Sequence, residues 1–352
     1  MARGSEMRRQ VVLLLTDTTR WDMLGCYRET GVATPNLDAL AVGGVRFERA
    51  YTCTPVCTPA RSAIFTGTWP HSNGAWANSM ALGADVRNVA EHLDRAGVHA
   101  VYIGKWHLDG TDYFGSGLPA PGWDPTYWYD GRRYLDELSP PDRVRSRRAE
   151  TSYETGVSAE LTFAHRCSDR AISFLEGHGD DDFFLVVSYD EPHHPSICPV
   201  PYSQMYRSFS WPAGANATDP LLAKPEHQRI WAAETDGPGS RGAAGGHSLF
   251  FGAQSFVDAE IGRVIDAARG AAPDALVIYT SDHGDALGAH RLYGKGPVAP
   301  GGLRRGGPGT AVGFLARAGR AGAGDGRSRL PHRPCPQGPR RPRRPGADIS
   351  GR

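Results

Sequence analysis

The run Gln10-Val11-Val12-Leu13-Leu14-Leu15-Thr16-Asp17 decides the fold of this 352-residue chain. Its apolar residues follow one another without alternation, which is typical of a parallel strand that is buried on both faces. The run leads into a polar stretch, Asp17-Thr18-Thr19-Arg20. Ligands of mostly parallel α/β sheets bind at the carboxyl ends of the strands, so this polar stretch is a candidate for part of a functional site.

Three later apolar runs end in the same way. The strands predicted over 99–103, 183–188 and 275–280 are followed by Gly104-Lys105-Trp106-His107, Glu191-Pro192-His193-His194-Pro195 and Ser281-Asp282-His283-Gly284-Asp285. Helices predicted over 35–43, 85–96, 160–176 and 255–269 alternate with the strands. Segments 110–153 and 199–247 are predicted to be irregular, the first as a surface insertion. The pattern predicts an α/β fold of three layers (α/β/α) around a mostly parallel central sheet, with the polar clusters at one edge.

Each polar cluster, taken alone, has an ordinary structural explanation. These explanations are a turn or helix cap for Asp17, a turn for Asp282-His283, a solvated loop for Lys105 and His107, and a rigid loop for His193-His194 between prolines. Taken together at successive strand ends, the clusters favour one shared site.

The stretch Cys57-Thr58-Pro59-Ala60-Arg61 predicts a loop that turns into a helix, with Pro59 at the first helical position. Cys57 then lies at the positive end of the helix dipole, where an anion is favoured. Arg61 comes one turn later and can direct its planar charged group at the same spot. The alternative is a buried cysteine before an ordinary helix. Cys53 begins a similar run, but its fifth position holds a cysteine where arginine is needed, so Cys57 is the candidate.

The order of the motifs resembles that of a known family. D-x-x-R, C-x-P-x-R, G-K-W-H, P-H-x-P, S-D-H-G-D and a final G-K-G occur in sequence over roughly residues 9–297, and this order resembles the sulfatase branch of the alkaline-phosphatase-like superfamily. The resemblance implies a catalytic domain over 9–296 and a cysteine that a formylglycine-generating enzyme oxidises to formylglycine. The smaller C-terminal subdomain of the family is expected to be missing.

The resemblance also implies a role for each matching residue. A divalent metal, with Ca²⁺ as the first choice and Mn²⁺ or Mg²⁺ as alternatives, is expected on Asp17, Thr18, modified Cys57, Asp282 and His283. Thr18 stands where relatives often have a carboxylate or amide, and its neutral hydroxyl is a weaker ligand. The other implied catalytic residues are Arg61, Lys105 and Lys295 for charge neutralisation, His107 for a hydrogen bond to the formylglycine hydrate, and His193 as general acid.

The implied reaction is the hydrolysis of a sulfate ester of a small molecule or carbohydrate. One hydroxyl of the hydrated aldehyde attacks sulfur and releases the alcohol; the other then loses its proton, which restores the aldehyde and expels sulfate. Three readings remain open at this point: a sulfatase, a phosphonate monoester or phosphodiester hydrolase on the same site, and an inactive truncated relative.

Composition limits the other functions. The formal net charge of +1 argues against general affinity for nucleic acid or membranes. Six cysteines form no C-x-x-C pair and are predicted to be reduced thiols. The N-terminal run 11–15 is too short for a signal peptide or a transmembrane helix, so a cytoplasmic location is expected.

The composition changes abruptly after Pro297. Residues 297–352 contain 12 Arg, no Lys and 2 Asp, and they lack hydrophobic periodicity. One interpretation is a disordered basic tail. The other is a shifted reading frame, because suitable codons for 302–310 and 330–336, read one base later, spell sequences similar to those that follow the G-K-G lysine in sulfatases.

Overall fold

The computed structural model describes residues 8–154, 156–235, 247–295 and 313–317. The strands in these ranges are β1 (Gln10–Asp17), β2 (Val45–Arg46), β3 (His99–Gly104), β4 (Phe183–Pro192), β5 (Leu276–Ser281) and β6 (Gly313–Arg317). They form one sheet in the order β2-β6-β5-β1-β4-β3. Strands β5, β1, β4 and β3 are parallel neighbours, whereas β6 is antiparallel to both β5 and β2. The predicted α/β fold with a mostly parallel sheet is therefore confirmed.

Eleven α-helices are found in the described ranges. They are α1 (Pro35–Val42), α2 (Cys57–Thr66), α3 (Pro70–Asn73), α4 (Val89–Arg95), α5 (Gly131–Glu137), α6 (Pro140–Arg145), α7 (Thr151–Glu154), α8 (Phe163–His178), α9 (Tyr202–Met205), α10 (Glu226–Thr235) and α11 (Ser248–Ala271). Within these ranges, no helix combines the length and the apolar character needed to cross a bilayer.

The central strand β1 divides the core into two layers. Val12 and Leu14 belong to the same hydrophobic cluster as the buried residues of α8 and α11. Leu13 and Leu15 belong to a second cluster, which includes Phe65 of α2. Successive side chains of a strand point to opposite faces, so β1 contributes to both layers, and all of its residues except the half-buried Val11 are buried. This arrangement is the predicted α/β/α sandwich.

The prediction of a surface insertion over 110–153 is wrong. This segment forms α5, α6 and α7, and its Trp123 and Trp128 are 3% and 1% exposed. Tyr129 forms a parallel bridge with Ile103 of β3. The two tryptophans pack in the cluster of Leu13 and Leu15, where the covering helices α2 and α4 are short, so aromatic rings fill the layer that longer helices fill on the other face.

Several helix boundaries also differ from the predicted ones. Helix α4 begins at Val89 instead of residue 85, because Asn88 and Glu91 form a capping box at its first turn. Helix α11 begins at Ser248 instead of residue 255, and α9 and α10 lie in the predicted loop region 199–247.

The five residues of β6 lie inside the range 297–352, which was predicted to be a disordered basic tail or the product of a shifted reading frame. Gly313-Phe314-Leu315-Ala316-Arg317 contains a short apolar run that pairs with β5. The other residues of that range are outside the described residues.

Candidate active site

The polar strand ends meet at the carboxyl edge of the sheet. Register pairs Thr16 with Ser281, Asp17 with Pro192, and Gly104 with Ser188. Since these pairs lie at the carboxyl ends of parallel strands, the residues that follow each strand lie side by side along this edge of the sheet. Side chains from four separate parts of the sequence therefore reach one place.

The centre of the site is a buried cluster of four side chains. Asp17, Cys57, Asp282 and His283 each present one ligand-type atom, and these four atoms lie within 4.8 Å of one another. The sulfur of Cys57 is 3.3 Å from His283 Nε2 and 3.7 Å from Asp17 Oδ1. His283 Nε2 is also 3.6 Å from Asp282 Oδ1.

The donors of this cluster fit a divalent cation. His283 Nδ1 donates to the Gly284 carbonyl at 3.1 Å, which leaves the lone pair of Nε2 directed towards the carboxylates. Burial lowers the pKa of His283, which favours the neutral ring that a metal requires. Burial raises the pKa of Asp17, but Lys105 and Lys295 outweigh it and hold that pKa well below its usual value. The site thus offers an ionised carboxylate and a neutral imidazole nitrogen.

Cys57 is the first residue of α2 and is 1% exposed. The helix begins two residues earlier than predicted, so Pro59 is its third residue instead of its first. Position 59 tolerates proline because the N–H groups of the first turn have no acceptor within the helix. Lys295 Nζ lies 2.6 Å from the Cys57 sulfur, so the positive ammonium group of Lys295 and the helix N-terminus both face this side chain.

Arg61 lies beneath the cluster and is completely buried. Its Nε donates to Asp282 Oδ2 at 2.9 Å, and one terminal nitrogen lies 3.3 Å from Asp17 Oδ2. The other terminal nitrogen donates to the Lys105 carbonyl at 2.6 Å and to Ser188 Oγ at 2.8 Å. These contacts fix the two carboxylates in place.

Lys105 reaches the cluster from β3. Its Nζ lies 2.8 Å from Asp17 Oδ2 and 2.7 Å from Asp190 Oδ1. The preceding residue, Gly104, has φ of 118°, and a Cβ atom there would lie 1.9 Å from the Ser188 carbonyl oxygen. Only glycine permits this approach, which lets the Lys105 N–H donate to the same oxygen at 2.8 Å.

The two predicted catalytic histidines differ in their surroundings. Burial, together with the charges of Lys105 and Arg61, lowers the pKa of His107 to about 2, so its ring is neutral. Its Nδ1 is buried and has no hydrogen-bond partner among the described residues. His193 Nδ1 donates to the His194 carbonyl at 2.7 Å and lies 4.0 Å from Asp190 Oδ1.

Thr18 lies beside the cluster. Its hydroxyl donates to Asp17 Oδ1 at 2.5 Å, and its N–H donates to Asp282 Oδ1 at 3.2 Å. Its φ of 73° is strained for a β-branched residue, and strain of this kind is concentrated at functional sites.

Three residues of the site had not been singled out from the sequence. Asp190 pairs with Lys105, Ser188 accepts from Arg61, and the Tyr113 ring lies 5.4 Å from Lys105 Nζ. Asp190 carries a usable signal, because it directly precedes the Glu191-Pro192-His193 stretch at a strand end. Tyr113 has none, since it comes from a segment that was predicted to be a surface insertion.

The fold and the site define the class of this protein. It is an α/β protein of the alkaline-phosphatase-like superfamily, with a cluster of acidic and basic side chains at the carboxyl edge of its sheet. The sulfatase family model matches residues 9–309, and the chain belongs to this family.

Two curated relatives and one solved structure illustrate the similarity. The uncharacterized sulfatase YidJ of Escherichia coli (strain K12) is 44% identical over 296 residues, which cover 82% of this chain and 60% of the relative. An ulvan-active sulfatase of Formosa agariphila is 30% identical over 295 residues, covering 80% and 51%. The phosphonate monoester hydrolase of Agrobacterium radiobacter has a TM-score of 0.67 at 25% identity, covering 88% of this chain and 68% of that one. The chain thus spans between half and two thirds of the length of the two curated relatives.

Proposed function

We propose that this chain hydrolyses sulfate esters with a formylglycine nucleophile made from Cys57, on substrates that are sulfated small molecules or carbohydrates. The observation that carries the proposal is the position of Cys57 at the start of α2, within 4.8 Å of two carboxylates and an imidazole and 2.6 Å from the Lys295 ammonium. Family membership and the ulvan-active relative support the sulfate chemistry and the carbohydrate class.

The charges of the site suit an anionic ester. Lys295 Nζ lies beside the reactive side chain, and two of the three N–H donors of Lys105 are used by Asp17 and Asp190. The third donor of Lys105 and the remaining donors of Lys295 are available to sulfate oxygens. Four of the five N–H donors of Arg61 bond to protein groups, so we assign it the role of orienting Asp17 and Asp282 and offsetting their charge.

His193 is the proposed general acid for the departing alcohol. Its Nδ1 is held by the His194 carbonyl, which leaves Nε2 to carry the proton that is transferred. Asp190 Oδ1 lies 4.0 Å from the same Nδ1 atom. His107 stays neutral and offers a hydrogen bond to the hydrated aldehyde.

Asp17, Asp282 and His283 are the proposed ligands of a divalent cation, with the modified Cys57 as a fourth and Thr18 at its border. When bound, the cation acts as a Lewis acid that increases the acidity of a hydroxyl group at neutral pH. Carboxylate oxygens suit Ca²⁺ and also Mg²⁺, whereas the imidazole of His283 also admits Mn²⁺.

A second candidate is phosphonate monoester or phosphodiester hydrolysis, which the similarity to the Agrobacterium enzyme favours. The chain should be produced together with a formylglycine-generating enzyme, and the mass of its Cys57 peptide should be measured. Turnover of p-nitrophenyl sulfate and of bis-p-nitrophenyl phosphate is then compared on the same sample.

Formylglycine at position 57 and a higher kcat/KM for the sulfate ester are the expected results. A higher value for the phosphodiester assigns the second function. Complete modification with no turnover of either ester identifies an inactive relative and overturns the proposal.

A further inference from the structure

The segment 285–294, which we call the lysine loop, joins two parts of the candidate active site. It follows Asp282 and His283, two of the proposed metal ligands, and it leads directly into Lys295. Lys295 Nζ lies 2.6 Å from the Cys57 sulfur and 3.6 Å from Asp17 Oδ1, so the chain leaves the buried cluster and returns to it within this loop. The position of Lys295 therefore depends on how the lysine loop is closed.

The backbone of the lysine loop is strained. Leu287, His290 and Arg291 have φ of 43°, 53° and 58°, which is the left-handed region that residues with a Cβ atom rarely adopt. Such conformations persist only where surrounding contacts hold them. Loss of a contact that closes the loop should therefore let its backbone relax and displace the residue that follows it.

Asp285 supplies such a closing contact. Its Oδ1 accepts from the Leu287 N–H at 2.8 Å, near the start of the loop, and from the Gly294 N–H at 3.1 Å, at its end. Gly294 directly precedes Lys295, so one oxygen of a residue that is 2% exposed fixes the backbone from which the lysine side chain extends. A backbone hydrogen bond from the Ala286 N–H to the Gly294 carbonyl, at 3.0 Å, assists it.

The start of the lysine loop is held separately by Arg20, which is 5% exposed. Its Nη1 donates to the Ala286 carbonyl at 2.6 Å, and its Nε and Nη2 pair with Asp22. The guanidinium also lies 5.0 Å from the centre of the Trp211 ring. Asp285 therefore ties the end of the loop to a segment that other residues fix in place.

We propose that Asp285 is a positioning residue, which holds Lys295 against the nucleophile at position 57 by accepting the N–H groups of Leu287 and Gly294. This inference rests on the proposed function, because Asp285 affects the reaction only through Lys295. Displacement of a reacting or charge-stabilising group by about 1 Å can lower a rate about 100-fold. Asp285 should therefore matter for turnover only as long as the lysine is present.

The kinetic test is a double-mutant cycle on the formylglycine-bearing protein, with p-nitrophenyl sulfate as substrate. Asp285→Ala should lower kcat/KM about 10–100-fold when Lys295 is present, because the lysine is then misplaced. In the Lys295→Met background, the same substitution should lower kcat/KM less than about threefold, because no ammonium group is left to position. Asp285→Asn, whose amide oxygen can accept the same two N–H groups, should stay within about threefold of the wild type.

Asp258→Ala is the matched control. Asp258 is 1% exposed, and its carboxylate likewise accepts two backbone N–H groups, from Asn36 at 3.1 Å and from Leu37 at 2.9 Å. These hydrogen bonds join α11 to α1 instead of closing the lysine loop. Asp258→Ala should therefore destabilise the protein, while kcat/KM of the folded enzyme stays within about twofold of the wild type.

A second measurement follows Lys295 without any turnover. The chain has three lysines, Lys105, Lys224 and Lys295, so their acetylation by an N-hydroxysuccinimide ester can be followed separately by mass spectrometry. Asp285→Ala should accelerate acetylation of Lys295 about fivefold or more, because the ammonium group leaves its buried contacts more often. Lys105 should keep its slow rate, since its ion pairs with Asp17 and Asp190 do not involve the loop.

Each measurement can overturn the proposal. Equal fold losses of kcat/KM with and without Lys295 show that Asp285 acts by another route. Unchanged acetylation of Lys295 in folded Asp285→Ala, or equal acceleration at Lys105, contradicts a specific effect on this lysine. So does a loss in Asp285→Asn as large as in Asp285→Ala.

Failure of the proposed function looks different. If the formylglycine-bearing wild type hydrolyses no sulfate ester, or Lys295→Met has no measurable rate, the acetylation of Lys295 alone decides on Asp285. If Asp285→Ala does not fold, Asp285→Ser replaces it in both measurements. A serine hydroxyl can accept from the N–H two residues later but reaches less far towards Gly294, so the same direction of change is expected.

Discussion

Replacing Arg61 with methionine should destabilise the metal-free protein strongly. The guanidinium is completely buried and supplies the side-chain contact of Asp282 Oδ2, at 2.9 Å. Methionine keeps an unbranched chain but leaves this carboxylate oxygen without a partner. Breaking a buried ion pair on one side costs about 3–5 kcal/mol. For a domain of this size, that loss lowers Tm by roughly 6–20 °C.

The assay is thermal unfolding after chelation, with Arg148→Met as the matched control. Arg148 and Glu150 form an ion pair at 4.0 Å with both side chains more than 60% exposed. Removal of such a pair should change the free energy of unfolding by less than about 1 kcal/mol. Added Ca²⁺ or Mn²⁺ should reduce the deficit of Arg61→Met, since a cation on Asp17 and Asp282 replaces the lost positive charge.

The deficit should also depend on pH. Burial, followed by the charge of Asp17, raises the pKa of Asp282 above its unfolded value, and the loss of Arg61 raises it further. The stability associated with protonated Asp282 is present at low pH and is lost as pH rises through the folded pKa. Arg61→Met should therefore be closer to the wild type at pH 5 than at pH 8. Equal losses of Tm for Arg61→Met and Arg148→Met would refute the reasoning. So would a loss of Tm in Arg61→Met that changes neither with added cation nor with pH.

Three further outcomes are expected. Cys57→Ala should abolish turnover of p-nitrophenyl sulfate, whereas Cys53→Ala should retain a measurable rate; equal losses contradict the choice of nucleophile. Chelation should inactivate the enzyme, and activity that survives exhaustive chelation counts against a role for the metal. In calorimetry, Asp282→Asn should weaken metal binding and Thr18→Asp should tighten it. The pKa of Glu191 in the folded protein is about 8, above its usual 4.5, so the contribution of protonated Glu191 to the free energy of unfolding decreases as the pH rises from about 4.5 to about 8. Glu191→Gln should remove this fall, up to about 5 kcal/mol in denaturant unfolding, and an unchanged pH profile would show that Glu191 is ionised throughout.

The sequence predicts the strands and their polar ends well because local patterns determine both. Val11 to Leu15 has no alternation, and a strand buried on two faces requires none. Trp123 and Trp128 were misplaced for the opposite reason. Their Gly- and Pro-rich segment has no helical or strand period. It is buried because α2 and α4 leave part of one sheet face uncovered, and this uncovered area exists only in the assembled fold.

Contacts between distant residues had the same limit. Nothing local predicts that Asp190 pairs with Lys105, 85 positions earlier, or that one carboxylate oxygen of Glu191 has no partner in the part of the chain that the structure describes. Candidate residues at strand ends were found because the carboxyl edge of a parallel sheet collects them. Their individual partners depend on strand order, which sequence periodicity does not contain.

The 1% exposure of Cys57 has a consequence for the timing of the proposed modification. Lys295, which touches the sulfur, stands 238 positions later in the chain. At about 5–20 residues per second, a ribosome needs roughly 12–48 s to add that stretch. Throughout this interval, the thiol lacks the late-synthesised partners that bury it. A modifying enzyme that acts on the nascent chain has this interval in which to reach the thiol, whereas one that arrives after folding meets a closed site.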